Sequence, residues 1–370
     1  MRRAIAATFV LLTSCTPDVL TTGSTGSGGA GASATSTATT GGPTQASSSS
    51  SAMGATTGAT GGAASSSSGS STDASTGTGA LLCGNGMIDG GEACDDHNTE
   101  DYDGCDADCV VRGDTCANPI PLSVGLGPTL TINGTTINGK NTPSGTSCTN
   151  GFGNERWFAV QAQAAAFLTL WIDPANTDYD TRLYTLPACG AQASACANND
   201  KDAPDVLSFP VAANATVLFA VDGATNGAFS LRVDLSTGED CSDPVPLPIG
   251  DGASKNVTVT TDTTGKMDDN DAGTSAMGGC GGTLSPDVVY HVLPTGPGNP
   301  NLTVDGMGAL QPVVYSRTTC TDHLLQPCNG TNMVGGNVDF VFNASYPAGA
   351  YLWVDGANGT AGPATLTLKP

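Results

Sequence analysis

The sequence predicts an all-β protein built from two tandem antiparallel β-sandwiches, preceded by a small disulfide-rich module and a disordered linker. Three observations carry that expectation. Short runs of alternating apolar and polar residues, such as Phe167 to Asp173, Val217 to Asp222, Phe229 to Val233, Val257 to Thr261, Val338 to Phe342 and Thr365 to Leu368, are separated by Gly, Asn, Asp and Pro. Strands that bury one face are punctuated in this way. The chain of 370 residues carries 50 Gly, 22 Pro and 5% aromatics, with no convincing helical stripe, which excludes a large helical protein. Finally, the second half of the foldable region repeats the first.

The repeat opens on Cys116-Ala-Asn-Pro-Ile-Pro-Leu-Ser-Val-Gly and again on Cys241-Ser-Asp-Pro-Val-Pro-Leu-Pro-Ile-Gly. Cysteine spacings of 32, 41 and 7 residues in the first copy are matched by 39, 40 and 8 in the second. The run Glu155-Arg-Trp-Phe-Ala-Val corresponds to Asp287-Val-Val-Tyr-His-Val, and Leu218-Phe-Ala-Val-Asp-Gly to Leu352-Trp-Val-Asp-Gly. A period near 125 residues is too long for a solenoid and means two copies of one domain, at 116–235 and 241–370. The alanine-rich stretch Ala162 to Ala166 reads as a hairpin turn. Within each copy the close cysteine pairs invite local closure, Cys189 to Cys196 and Cys320 to Cys328, which leaves Cys116 to Cys148 and Cys241 to Cys280.

The ordered run of Pro286-Asp287-Val288-Val289-Tyr290, Asp180-Thr-Arg-Leu-Tyr, the close Cys pair and the terminal Val-Asp-Gly resembles the bacterial pre-peptidase C-terminal domain family. That resemblance implies a jelly-roll-like sandwich of the kind appended to secreted hydrolases and surface proteins. The second copy departs from it: Gln311-Pro312 replaces Asp180-Thr181, and Cys328-Asn-Gly-Thr replaces the Asp-bearing Cys196-Ala-Asn-Asn-Asp.

Ahead of the repeats the chain cannot build a core. Ser, Thr, Gly and Ala fill 56 of the 60 positions from Thr21 to Ala80, so residues 15–82 read as a disordered tether with a reach of about 40 Å. Residues 1–14 have the layout of a secretory signal, with Arg2-Arg3, an apolar run from Ala4 to Leu12, then Thr13-Ser14. The following Cys15 resembles the lipobox cysteine of bacterial lipoproteins, which implies lipid attachment at Cys15. Thr16 in the next position leans toward the outer membrane or cell surface. Thirteen cysteines less Cys15 leave an even set, as an exported disulfide-bonded chain requires.

Residues 83–115 form a third unit. Cys83-Gly-Asn-Gly, Gly91-Glu-Ala-Cys94-Asp-Asp, Asn98-Thr and Asp103-Gly-Cys105 resemble the Cys-rich repeat of myxobacterial surface proteins. Nine acidic residues stand among the 27 from Cys83 to Cys109 with no Lys or Arg between them. Such crowding costs repulsion unless a cation relieves it, and calcium takes carboxylate and Asn oxygens in flexible geometry. The candidate ligands are Asp95, Asp96, Asn98, Asp101 and Asp103, with Asp106 and Asp108 as second choices. The pairing among Cys83, Cys94, Cys105 and Cys109 is open.

A net charge of -22 repels phosphate backbones and anionic lipid, so no nucleic-acid partner is expected and membrane contact is expected through the lipid anchor only. No metalloprotease, nucleophile-elbow or phosphate-loop motif occurs in the sequence. Ser285, Asp287 and His291 can be drawn as a triad, but His291 lies in an alternating run and the first copy has no His at all. Trp157, Trp171 and Trp353 could stack on sugars, yet all lie in predicted strands where core packing is the simpler role. The sequence therefore reads as a non-enzymatic cell-surface lipoprotein with extracellular binding or adhesion modules. The alternative is a carbohydrate-binding or accessory subunit of a secreted hydrolase, and exposed aromatics distinguish the two.

Overall fold

A computed structural model describes residues 83–141, 148, 153–251, 256–268, 285–320, 328–331 and 333–370. The signal, Cys15, the tether and Cys280 lie outside the described residues. The first sandwich comprises β1 (Ile120–Val124), β2 (Leu130–Thr135), β3 (Arg156–Ala162), β4 (Ala166–Ile172), β5 (Thr181–Leu186), β6 (Ala195–Ala197), β7 (Val206–Val211), β8 (Thr216–Gly223) and β9 (Ala228–Ser236). The second comprises β10 (Val245–Ile249), β11 (Val257–Asp262), β12 (Val288–Pro294), β13 (Asn301–Gly306), β14 (Pro312–Arg317), β15 (Cys328–Gly330), β16 (Asn337–Val341), β17 (Ala350–Gly356) and β18 (Pro363–Lys369). Sheet orders are β1-β3-β8-β5-β6 facing β2-β9-β4-β7, and β10-β12-β17-β14-β15 facing β11-β18-β13-β16. Adding nine to each strand number turns one copy into the other. Leaving out β1 and β10, the pairs of sheets follow the double Greek key order of a jelly roll.

Two details differ from a purely antiparallel sandwich. The edge strand β1 runs parallel to β3, and β10 parallel to β12. Each edge strand first crosses to the opposite sheet as β2 or β11 before its neighbour forms, and this long return permits parallel pairing. The stretch Ala162 to Ala166 does reverse the chain, but it joins β3 and β4 in different sheets and so is a crossover, not a hairpin.

Burial patterns follow from what covers each face. The edge strands β1, β11 and β16 alternate buried with exposed residues. The central strands β5 and β14 are buried almost throughout, because the outer face of their sheet is also covered. On that outer face Trp157, Tyr184, Leu186 and Ala220 cluster beneath Cys116 and Cys148 in the first copy. In the second, Val289, Val313, Tyr315, Trp353 and Ala357 cluster beneath Cys241, Cys320 and Cys328. One rung shows a volume exchange. Trp157 of β3 stands opposite Ala220 of β8, whereas Val289 of β12 stands opposite Trp353 of β17. One large and one small side chain fill the same space in both copies, with the indole against Tyr184 at 5.7 Å or Tyr315 at 5.3 Å. The terminal Val-Asp-Gly is a local cap: Asp222 accepts from Gly223 N and Asp355 from Gly356 N, both at 2.6 Å.

The disulfides overturn the local-closure scheme. The bonds are Cys116–Cys189, Cys148–Cys196 and Cys241–Cys320, with Cα separations of 5.6, 5.9 and 5.7 Å. Cys116–Cys148, Cys189–Cys196, Cys241–Cys280 and Cys320–Cys328 are therefore not formed. Cys196 sits in β6 opposite Tyr184 and shares that residue's outward direction, while Cys189 belongs to the preceding turn. Each sulfur instead holds a covering segment down onto the outer face of the sheet. In the small module Cys94 pairs with Cys105, while Cys83 and Cys109 are thiols.

The module docks through Arg156, a residue without solvent exposure at the start of β3. Its guanidinium donates from Nη2 to Asp103 O at 2.8 Å, from Nη1 to Arg112 O at 3.1 Å and from Nε to Thr135 O at 2.9 Å. Beside it, Tyr102 of the module packs against the sandwich core and Asp114 pairs with Lys140 at 2.6 Å. Gly104 and Gly113 make the approach possible: both have positive φ, and an added Cβ would lie 2.7 Å from Arg156 Nη2 or 2.9 Å from its Cδ. In the second copy Val288 takes the place of Arg156, and Gly238, again with positive φ, packs against Val288 and Phe167. What precedes the second copy is an apolar sandwich, and an apolar side chain receives it. Phe167 and Val206 of the first copy are counted within the buried core of the second, with Trp171 against its margin.

Arg156→Leu should cost about 3 kcal/mol or more, because three buried carbonyls lose a charged donor. Gly104→Ala should release the module to protease by straining a positive-φ residue, at about 1 to 3 kcal/mol, while the sandwiches keep their melting transition. Cys328 is disulfide-bonded, and the repeat equates it with Cys196. Peptide mapping of the exported chain should find Cys280–Cys328, matching Cys148–Cys196; a bridge linking the two copies contradicts the scheme.

Candidate functional site

The glycines of Cys83-Gly-Asn-Gly turn successive backbone N–H groups toward one point, and Asp95 occupies it. Its Oδ2 accepts from Gly84 N at 3.0 Å and Asn85 N at 3.1 Å, and its Oδ1 from Gly86 N at 2.8 Å and His97 N at 3.0 Å. Backbone donors thereby hold the Asp95 carboxyl below the usual carboxylate range, with the His97 bond contributing most. The motif is an anion nest filled by the chain's own side chain. Other acids are engaged similarly. Asp101 Oδ1 accepts from Ala107 N at 3.0 Å, and Asp106 accepts from Val110 N at 2.9 Å and pairs with Arg112. Asp108 is exposed. Much of the expected repulsion is met by backbone N–H groups and arginine.

Asp96 and Asp103 are different. Both oxygens of Asp96 and Oδ1 of Asp103 are buried without a donor, while Asp103 Oδ2 accepts from Asn98 Nδ2 at 2.9 Å. Burial first, and then the neighbouring Asp103 charge, push the Asp96 carboxyl up to about 6. Two facing carboxylates in this position share a proton or a cation. Of the five candidate ligands, the structure thus brings together Asp96 and Asp103. Asp95 and Asp101 accept from backbone N–H groups, and Asn98 is turned so that its Oδ1 accepts from Glu100 N at 2.6 Å. Among the described residues no three His, Cys, Asp or Glu side chains converge as a metal cluster.

The drawn triad is not assembled. His291 faces the Ala348 carbonyl at 3.1 Å and stacks on Tyr351 at 4.5 Å, while Ser285 Oγ accepts from Gly359 N at 2.8 Å. In the first copy the Asp180-Thr181 and Asn-Asn-Asp motifs build a loop clasp: Asp205 accepts from Thr181 Oγ1 at 2.7 Å and from Asn199 N at 2.6 Å. Trp157 and Trp353 are buried at 1% and 0% exposure, which settles them as core. Trp171 is the exception. It lines a cleft of about 460 Å³ at the seam between the sandwiches, together with Tyr346, Asp173, Asp202, Asp251 and Thr295. Sequence reasoning named Trp171 but missed Tyr346 and the acids, because residues from 171 to 346 meet there only after both copies have folded.

No family model matches the chain, and no curated protein matches it. Weakly similar solved structures include two. One is described as the atomic structure of Sulfolobus Turreted Icosahedral Virus, 8% identical over 58% of this chain and 55% of that one, with a TM-score of 0.16. The other is the M60 catalytic domain with the CBM51-1 and CBM51-2 domains from Clostridium perfringens ZmpB, 8% identical over 58% of this chain and 33% of that one, also at 0.16. Likenesses of this size carry no argument about function.

Proposed function

We propose that this chain is a non-enzymatic cell-surface lipoprotein, anchored through Cys15, that presents the paired sandwiches as an extracellular binding or adhesion body. One observation carries the reading. Phe167, Val206 and Trp171 of the first copy pack into or against the core of the second, so the seam has fixed walls. Ligand sites form preferentially at such domain junctions. The tether of residues 15–82 would lift this body from the headgroups, and the disulfides suit an oxidising exterior.

Calcium belongs to this proposal in a narrower form than the five ligands suggested by sequence. Asp96 and Asp103, with three unpartnered oxygens, fit a hard cation completed by water; bound there it would bridge the carboxylates and stabilise the docked module.

Cys15→Ser should release the protein from the membrane fraction of cells that export it, whereas the parent chain should stay and be shaved by external protease. Retention of the variant, or protection of the parent on intact cells, contradicts the surface-lipoprotein reading. For the carboxylate pair the sign is set by a folded pKa raised above its unfolded value. Its stabilising share is present below about pH 4 and lost as pH rises through about 6. In chelator, the module within the full chain should become more protease-sensitive across that range. Asp96→Asn should flatten the change, and millimolar calcium should restore protection at pH 7 to the parent alone. Equal protection with calcium and with chelator leaves a shared proton and removes the ion.

A further inference from the structure

We propose that the seam cleft binds a sugar ring of a neutral or amino-bearing glycan. The inference deepens the binding reading above and rests on it. The cleft holds about 460 Å³ and takes walls from both copies, with Trp171 and Asp173 on one side and Tyr346 and Thr295 on the other. Its volume lies within the range of small-molecule sites.

The chemistry of the walls selects the ligand. Trp171 is held in a fixed orientation: its Nε1 donates to Asp234 at 3.2 Å, and the Arg232 guanidinium lies 5.7 Å from the ring centroid. Tyr346 is 55% exposed, the largest exposure of any aromatic side chain beside the cleft. Flat, rigid aromatic surface suits a partner with an apolar C–H face. The Asp173 and Asp202 carboxylates and Thr295 also line the cleft, with no Lys or Arg among its described lining residues. Ionised carboxylates only accept hydrogen bonds, so the ligand must donate. A purely apolar ligand would strip water from these acids without return, and an anion would meet like charge in a protein of net charge -22. A pyranose answers all three constraints, having one C–H face and a rim of hydroxyl or ammonium donors. Asp173 is already positioned for this, since Arg232 Nη2 holds its Oδ2 at 3.2 Å and Ala175 N donates to its Oδ1 at 3.1 Å.

The test titrates the full chain with short cello-, manno- and chitosan-oligosaccharides, and with oligogalacturonate as the anionic control, by calorimetry and tryptophan emission. Trp157 and Trp353 are buried, so a ligand-induced shift reports Trp171. At least one neutral or amino oligosaccharide should bind and oligogalacturonate should not. Tyr346→Ala and Asp202→Asn, both at exposed positions, should weaken binding about tenfold at unchanged melting temperature, with Tyr346→Phe retaining it. Failure of every neutral and amino oligosaccharide overturns the proposal, as does equal binding by the parent and both cleft variants. Either result leaves the surface-lipoprotein reading to the Cys15→Ser experiment, which does not depend on the cleft.

Discussion

A module of some thirty residues has too little apolar surface to fold by burial alone, and Arg156 is where this one gains a foundation. The guanidinium is driven from water by burial, which lowers its proton affinity, while the Asp103 charge counters that shift. A buried charge is tolerable when its donors are satisfied and opposite charge is near. Carbonyls from three segments meet the first need, and the acidic module supplies the second. The negative charge that looks like a liability in the isolated module therefore helps to retain the cation at its base.

The duplication shows how one fold adapts to different predecessors. Each copy is preceded by a positive-φ glycine, Gly113 or Gly238, whose carbonyl accepts from the second residue of an inner strand, Trp157 N at 2.9 Å or Val289 N at 2.8 Å. The neighbouring residue then selects what docks. Arg156 receives polar backbone, and Val288 receives the apolar edge of another sandwich. Away from that junction, exchange is permitted where summed volume is kept, as with Trp157 and Ala220 against Val289 and Trp353. Cores accept such swaps because close packing constrains total volume more tightly than the identity of each residue.

Joining the sandwiches through shared core leaves grooves along the seam, since two convex bodies touch along a line. The aromatic and acidic side chains at one groove come from segments that would be solvated loops or strand ends in an isolated copy. Rigidity there has local causes. Asp173 caps the 3₁₀ turn Pro174–Asn176 through Ala175 N, Trp171 is held by Asp234, and Lys266 lies 5.1 Å over Phe167 while pairing with Glu239 at 3.0 Å.

The sequence by itself determined the strands and their duplication, because alternation and turn residues act over a few positions and the repeat aligns them twice. Val257 to Thr261 lie on a strand whose inward side chains are legible from period two alone, whereas β4 is buried on both faces because Phe167 packs into the second sandwich. It also marked Asp95 as part of an ordered motif with Cys83-Gly-Asn-Gly, although the carboxylate proved to fill a backbone nest. Tertiary structure decided what depends on long-range direction. Cys189 and Cys196 are neighbours in sequence, yet a strand residue and a turn residue point differently and find partners 48 and 73 positions away. Trp171 and Trp157 look alike as strand residues, and only the folded chain covers Trp157 on the outer face beneath Cys116 and Cys148 and leaves Trp171 beside Tyr346. Arg156 carries no local sign of burial, because its three acceptors are backbone carbonyls, which every residue supplies and no sequence pattern marks.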